Sequence, residues 1–385
     1  MPRTAFAPAA IVAVWFACGS AAHACPFCGV TGQSLAERRD RSSVVAVGEA
    51  EGAAAADANG LPAQRFRVDQ VLRGDEAGRL ENVTARVAGS VAGTAILFGT
   101  AAAADAIGPQ VRFEAVAANE AVLAYVVASP ATDAPAAERL RWFAKRLEHP
   151  ERAIAEDAFI EFGLAPFAAV REAADAFDAD ALAAWIAEPG IDQRRRGFYG
   201  LAAGIVAART TDRAMSTRLV GLLERAIETP ADDFRAGVDG LMAGILVVEG
   251  GRGLDFLEGR GLFAASARPV DQRHVLSALR FAWESLGDTI PPERIAAATA
   301  KLLASPAVAA DAAVDLTRYR SWDSIDQVAG LWSTSGRGDP LIRRAVAGYL
   351  SACPLPEART HLERIRRQSP DLLQRAIEAI ALPAK

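Results

Sequence analysis

The sequence DPLIRRA at residues 339–345 returns about 30 residues later as SPDLLQRA at residues 369–376. In both stretches Asp or Ser precedes a Pro, apolar residues follow, and Arg and Ala come at similar offsets. Asp or Ser suits the N-cap of a helix and Pro suits its first turn. A further helix is predicted between the two stretches, at residues 356–367. The pattern therefore predicts stacked helices that bury a shared core, which a single helix pair does not form alone.

Helical periodicity extends back from these stretches to Pro135. In residues 138–147, Leu140, Phe143 and Leu147 share one face of the predicted helix. Similar segments, separated by Pro, Gly or Asp, are found at residues 178–187, 212–227, 271–286 and 291–304. We expect roughly a dozen consecutive helices in this half and no strand. Residues 150–330 have an irregular period, so a plain helical bundle stays an alternative there.

The capped helix openings near the C-terminus resemble those of HEAT repeats, in which Asp or Pro caps the helix, apolar residues dock it and Arg and Ala follow. The resemblance implies an α-helical HEAT-like repeat domain over residues 135–385. It also implies a long surface of the kind that helical arrays offer to protein partners.

Residues 43–117 show strand patterns instead. Five short runs rich in β-branched residues are separated by turn signals, at residues 43–49, 64–72, 83–87, 94–98 and 111–116. They predict a small OB-like β barrel or a sandwich, in a domain spanning residues 25–130. Residues 119–127 fit either a sixth strand or a first helix. The predicted fold class is α+β, mostly α: the small β domain followed by the helical array.

A second resemblance concerns the β domain. Cys25, a helix-like stretch at 33–39, the strand at 43–49 and the run Phe66-x-Val68-x-x-Val71-Leu72-Arg73-Gly74 look like the netrin-like module of tissue metalloproteinase inhibitors. That resemblance implies an OB-type barrel. In those inhibitors the first Cys chelates the zinc of a target protease. This chain departs from the module, which carries several disulfides, because it has no cysteine between residues 28 and 353.

The first 24 residues have the three parts of a signal peptide: Arg3, the uncharged apolar run at residues 5–17, and the cleavage pattern Ala22-His23-Ala24. We expect the protein to be exported to the periplasm or outside the cell, with no membrane span after cleavage. The apolar run is shorter than the roughly 20 residues that a transmembrane helix needs. A short membrane anchor and a lipoprotein attached through Cys25 are the alternatives.

The sequence Cys25-Pro26-Phe27-Cys28 is the sharpest local motif. Two cysteines at this spacing can close a disulfide, exchange disulfides or supply half of a zinc site. The motif resembles the active site of glutaredoxins but lacks their preceding strand. For zinc, the further ligands would have to come from Cys353, His149, His274 and His361, which are scattered. A structural disulfide is the default interpretation, and a redox or metal-binding role is the alternative.

The formal charge of −5 and the absence of a concentrated basic face argue against nucleic-acid binding. The sequence contains no G-x-S-x-G, H-E-x-x-H, EF-hand or phosphate-binding-loop pattern. We therefore expect no cofactor and favour a non-enzymatic role with a protein partner.

One helical stretch has the composition of a binding surface. Asp311, Asp315 and Tyr319 are predicted to share one helix face, and Trp322 follows them. Two carboxylates beside aromatic side chains suit an acid/base pair or a sugar-binding edge. The alternative is an ion-paired contact between helices, with Asp315 and Arg318 at i, i+3 spacing.

Several motifs together resemble a family of uncharacterised exported proteins from planctomycete bacteria. They are CPFC at 25–28, the run 66–74, and the stretches at 156–162, 278–281, 315–323 and 348–354. The resemblance spans nearly the whole chain and implies the same compartment and domain boundaries. The leading hypothesis from sequence is thus an exported binding or scaffold protein, and the alternative is a thiol-redox or metal-binding protein acting through CPFC.

Overall fold

A computed structural model describes residue 27 and residues 32–57, 59–74, 80–101, 111–230 and 234–381. The described residues form a five-stranded barrel followed by a long helical region, and about 60% of the structure is helical. This confirms the predicted α+β, mostly α, class. Cys25 and Cys28 lie outside the described residues, as does the predicted signal peptide.

The barrel is built from five strands in chain order: β1 (Val44–Ala56), β2 (Pro62–Arg73), β3 (Asn82–Arg86), β4 (Thr94–Ala101) and β5 (Val111–Ala117). Their order around the closed sheet is β1-β2-β3-β5-β4. All pairs are antiparallel except β3 with β5, which is parallel. Each strand coincides with a predicted strand to within a few residues at most ends, and the small closed barrel fits the predicted OB-like architecture.

The strands use their two faces differently. In β4, Ala95 and Leu97 point into the barrel, while Ile96 and Phe98 pack into the core of the helical region. Because successive side chains of a strand alternate between faces, a strand that is buried on both sides reads as a continuous apolar run. This strand therefore joins the barrel to the helices.

Helix α1 (Leu35–Arg41) precedes the barrel, and α2 (Glu120–Ala128) follows it. The segment that sequence left undecided between strand and helix is α2. The Asn119 side chain accepts a hydrogen bond from the Val122 amide at 3.0 Å and so caps the first turn.

The helical region contains fifteen further α-helices among the described residues, more than the dozen predicted. They are α3 (Ala136–Ala144), α4 (Arg152–Leu164), α5 (Phe167–Glu172), α6 (Ala179–Ala187), α7 (Gln193–Arg209), α8 (Arg213–Glu228), α9 (Val238–Glu249), α10 (Gly251–Gly259), α11 (Pro269–Ser285), α12 (Pro292–Lys301), α13 (Ala309–Arg318), α14 (Ile325–Leu331), α15 (Pro340–Ala352), α16 (Pro356–Gln368) and α17 (Pro370–Ala381).

Alternate helices of this region pack side by side. Helix α7 packs against α9 and α9 against α11, while α13 packs against α15 and α15 against α17. Of the helices between them, α8 packs on α7 and α9, α10 packs on α9, and α16 packs on α15 and α17. The predicted helix openings hold: Asp178, Asp212 and Asp339 each accept hydrogen bonds from backbone amides of the turn that follows.

The contact between α7 and α9 is made through glycine. The glycines on both sides are spaced three and four residues apart: Gly197, Gly200, Gly204, Gly237, Gly240 and Gly244. A Cβ atom built at Gly240 would lie 2.1 Å from the carbonyl oxygen of Gly197, and one at Gly204 would lie 2.2 Å from that of Gly244. The two backbones therefore touch directly, which only glycine permits.

Candidate functional site

The predicted surface around Asp315 lies where α11 packs against α13. We call it the α11–α13 surface and define it by Arg280, Trp283, Asp311, Asp315, Arg318, Tyr319 and Trp322. Asp315 is fully buried, and its Oδ2 accepts a hydrogen bond from Arg280 Nε at 2.6 Å. Its Oδ1 lies 3.6 Å from Arg318 Nη1, at the i, i+3 spacing that the sequence offered. The carboxylate thus links the two helices.

Burial governs the electrostatics of this carboxylate. Desolvation raises the pKa of Asp315, and the positive charge of Arg280 opposes that rise only in part. Arg280 also approaches Asp311 Oδ1 at 3.9 Å, and the Asp311 side chain is 58% exposed. The two predicted carboxylates therefore differ: Asp311 faces solvent, whereas Asp315 is enclosed.

Aromatic rings lie next to this ion pair. Tyr319 stacks on Trp283 with ring centroids 4.0 Å apart and an interplanar angle of 20°. The Tyr319 hydroxyl is buried and has no hydrogen-bond partner among the described residues. Trp283 is half-buried, so its ring presents part of its area at the surface beside Arg280.

Trp322 is positioned by a tight reversal of the chain after α13. Arg320 has a positive φ of 53°, and the Ser321 amide donates back to the carbonyl of Leu316 at 3.0 Å. This is the left-handed ending typical of a helix C-terminus. The reversal places the Trp322 ring against the edge of Tyr349 at 5.1 Å, and the Tyr349 hydroxyl donates to the Ser321 carbonyl at 2.8 Å.

The structure brings Asp311, Asp315 and Tyr319 together beside α11, whereas the described ring contact of Trp322 is with Tyr349 of α15. It also adds partners that sequence reasoning did not assign to this site. Arg280 and Trp283 come from α11, about 35 residues earlier. The sequence did carry a signal for them, since both lie on the predicted helix at residues 271–286 at i, i+3 spacing, close to one face. Nothing in that spacing says which later helix they meet.

A second cluster of buried acids lies where the N-terminal part meets the helices. Asp157 on α4 accepts a hydrogen bond from the Leu35 amide at 2.7 Å and another from the Tyr125 hydroxyl at 2.8 Å. Glu161, one turn later, forms an ion pair with Arg139. Burial raises the pKa of both carboxyl groups. The cluster ties the start of α1 to α4.

Only one residue of the CPFC motif is described, and it is buried. Phe27 packs edge-on against Phe281 of α11 at 5.3 Å, and Phe281 in turn packs against Phe167 at 4.9 Å. The remaining described cysteine, Cys353, is free and buried at the end of α15. The predicted pairing or redox role of Cys25 and Cys28 stays a prediction.

In the part of the chain that the structure covers, no group of three or more His, Cys, Asp and Glu side chains is arranged to hold a metal ion. Within the same ranges, no helix combines the length and the apolar character that crossing a bilayer requires.

Comparisons with family models, with curated proteins and with solved structures gave no match to this chain. A proposal for its function therefore rests on the geometry of the described residues.

Proposed function

We propose that the chain is a non-enzymatic binding or scaffold protein that acts outside the cytoplasm and uses its helical array as the interaction surface. The observation that supports the proposal best is the α11–α13 surface. There, a stacked aromatic pair and exposed charges of both signs lie beside the ion pair between Arg280 and the buried Asp315. Aromatic residues and arginine are enriched where proteins bind one another.

The burial of Asp315 favours binding over catalysis at this surface. A general acid or base has to reach within hydrogen-bond distance of the substrate proton that it transfers. Asp315 is 0% exposed and one of its oxygens already accepts from Arg280. The exposed groups, Asp311 and Arg318, are suited to contacts with a partner.

The proposal includes a HEAT-like array and an OB-like barrel. The sequence GLAAGIV at residues 200–206 in α7 returns 40 residues later as GLMAGIL at residues 240–246 in α9. A period of about 40–47 residues is typical of HEAT and armadillo repeats. The side-by-side packing of α7, α9 and α11 supports the same architecture.

Quantitative co-purification from the native host tests the binding proposal. We expect the full-length tagged chain, isolated from the exported fraction, to retain one specific partner. The paired surface variant Asp311→Lys with Arg318→Glu should lose most of it, because both side chains are more than half exposed and contribute little to folding. Glu363→Lys on α16, which is also exposed, is the matched control. Equal partner recovery from wild type and the paired variant, or repeated recovery of the chain alone, would contradict the proposal.

The exported state and the CPFC motif are tested by the intact mass of the protein, measured without reduction and with thiol alkylation after unfolding. A mass that begins at Cys25 with one alkylated thiol supports export and a Cys25–Cys28 disulfide, since Cys353 is free. Three alkylated thiols or a retained metal would instead support a redox or metal-binding role for the CPFC motif. An added lipid mass would show a surface-anchored protein.

A further inference from the structure

A cavity of about 330 Å³ lies between α6, α7, α8 and α9, away from the α11–α13 surface. The residues that matter for its chemistry are Ile186, Gln193, Arg196, Leu222, Arg225 and Leu241. The volume is at the lower end of the range of roughly 300–1,000 Å³ for small-ligand pockets. It therefore suits a small group rather than a large cofactor.

The described charged side chains that line this cavity are all positive. Arg196, Arg225 and Arg235 contribute to the wall, and none of the described lining residues is acidic. Arg235 is paired with Asp271, whose Oδ1 lies 2.8 Å from its Nη1. Arg196 and Arg225 have no acidic side chain within ion-pair distance among the described residues. Two cationic side chains thus share one cavity, and no carboxylate of the described residues lies between them.

The first of these two, Arg196, is held in place by the end of α6. Its Nη2 donates to the Glu188 carbonyl at 2.8 Å, while its Nε is buried and has no hydrogen-bond partner in the part of the chain that is described. A buried donor without a partner costs about 1–3 kcal/mol, and a ligand oxygen that reached this N–H would remove that cost. Arg225 approaches from α8 and is exposed.

Apolar side chains form much of the remaining wall: Ile186 from α6, Leu222 and Ala226 from α8, and Leu241 from α9. Gln193 and Thr229 add polar groups to it. An inorganic phosphate would leave this apolar area unused, whereas a carboxylate with an adjacent apolar side chain would fill both parts. Arginine presents its N–H groups in a planar fork that matches the two oxygens of a carboxylate.

We propose that the cavity between α6 and α9 binds a carboxylate that carries an adjacent apolar group, with Arg196 and Arg225 as its ligands. Two sources share this chemistry: the C-terminal residue of a polypeptide and a small apolar carboxylic acid. The inference does not rest on the proposed function, because its residues lie on other helices than the α11–α13 surface.

Binding of N-acetyl-L-leucine to the full-length protein, followed by titration calorimetry, tests the inference. We expect binding of the acid and none of its carboxamide, which has the same shape without the charge. Arg225→Gln should weaken binding about tenfold or more. Arg225 is exposed, so this variant should keep the fold. Arg213→Gln is the matched control, because Arg213 lies on the same helix, is exposed and does not line the cavity.

The sources are separated by comparing N-acetyl-L-leucine with a peptide that ends in Leu and with a branched fatty acid that has no amide. Tighter binding of the peptide indicates a polypeptide C-terminus, and tighter binding of the fatty acid indicates a small acid. The inference is overturned if acid and carboxamide bind alike, if Arg225→Gln binds as well as wild type, or if the acid fails to bind up to its solubility limit.

Asp232 and Asp233 precede Arg235 in the sequence, outside the described residues. If the acid binds only to the variant in which Asp232 and Asp233 are both changed to Asn, the inference is also overturned. The two arginines would then be occupied by carboxylates of the chain itself in the wild-type protein.

Discussion

Two helix contacts of the same array are built in opposite ways. Between α7 and α9, glycines face glycines and the backbones touch, with prospective Cβ positions only 2.1–2.2 Å from carbonyl oxygens. Between α11 and α13, side chains fill the contact: Arg280 with Asp315, and Trp283 with Tyr319. The first contact leaves no room for a side chain at its glycine positions, whereas the second consists of side chains.

The difference shows where this fold has room for function. A backbone contact fixes the spacing of two helices but leaves nothing for a ligand to touch. A side-chain contact separates the helices and exposes the outer parts of its charged and aromatic groups, here Arg280 and Trp283. We therefore propose that a protein partner binds at α11–α13, and we expect rigidity at the glycine contact itself, beside which the cavity lined by Arg196 and Arg225 lies.

Gly240→Ala is expected to have the largest effect on stability. The new methyl group would lie 2.1 Å from the Gly197 carbonyl oxygen, so the two helices would have to separate. Overpacking of this kind, against backbone that cannot rotate away, should lower the free energy of unfolding by about 3 kcal/mol or more. Urea denaturation followed by circular dichroism measures it. An unchanged unfolding midpoint would show that α7 and α9 do not touch through their backbones.

Asp315→Ala should come next. It removes the buried acceptor of Arg280 and leaves the guanidinium only the more distant Asp311 at 3.9 Å. We expect a loss of about 2 kcal/mol, less than for a fully buried pair because Arg280 is partly exposed. Asp311→Ala, at an exposed position of the same helix, is the control and should change stability by less than about 0.5 kcal/mol. Similar losses in the two variants would show that the buried pair adds nothing.

The pH dependence of the stability of Asp315→Asn tests the same contact. Burial raises the pKa of Asp315, so the folded state holds this proton more tightly than the unfolded state. The contribution of the carboxyl group to stability is therefore greatest at low pH and declines as pH rises past its ordinary pKa of about 3.9. Relative to wild type, the Asn variant should gain stability between about pH 4 and pH 7. Denaturant titrations at both ends of that range measure the gain, and a constant difference would contradict the raised pKa.

Gly348→Ala should have the smallest effect, with the opposite sign. This glycine lies inside α15, where a Cβ would meet Ile380 of α17 at an ordinary contact distance of 3.8 Å. The substitution should raise the free energy of unfolding by about 0.5–1 kcal/mol, because alanine favours helix and glycine does not. Together with Gly240→Ala, this variant compares the effect of the same Gly-to-Ala change on stability at two helix contacts, α7–α9 and α15–α17. Destabilisation at residue 348 would indicate a tighter α15–α17 contact than the structure shows.

The elements were readable from the sequence because each depends on local rules. Runs of β-branched and apolar residues, as at residues 94–98, predict strands. An N-cap residue followed by Pro, as at Asp339-Pro340, predicts the start of a helix. The α7–α9 contact was not predicted, although glycines recur in both helices at spacings of three and four residues. Glycine was interpreted as a signal for loops between helices, and this repeated spacing was not considered. The i, i+3 pair of Asp315 with Arg318 was predicted, whereas its partner on α11, Arg280, was missed because no local rule says that α13 meets α11.

The position of Phe27 has a consequence for how the molecule folds. Repeat arrays usually assemble step by step, since each unit touches only its neighbours. Here the ring of Phe27 packs against Phe281 of α11, and the Leu35 amide donates to Asp157, which lies 122 residues later in the sequence. Long sequence separations of this kind slow folding and couple distant parts into one cooperative transition. We therefore expect barrel and array to unfold together, so that a single transition marks the integrity of the whole chain.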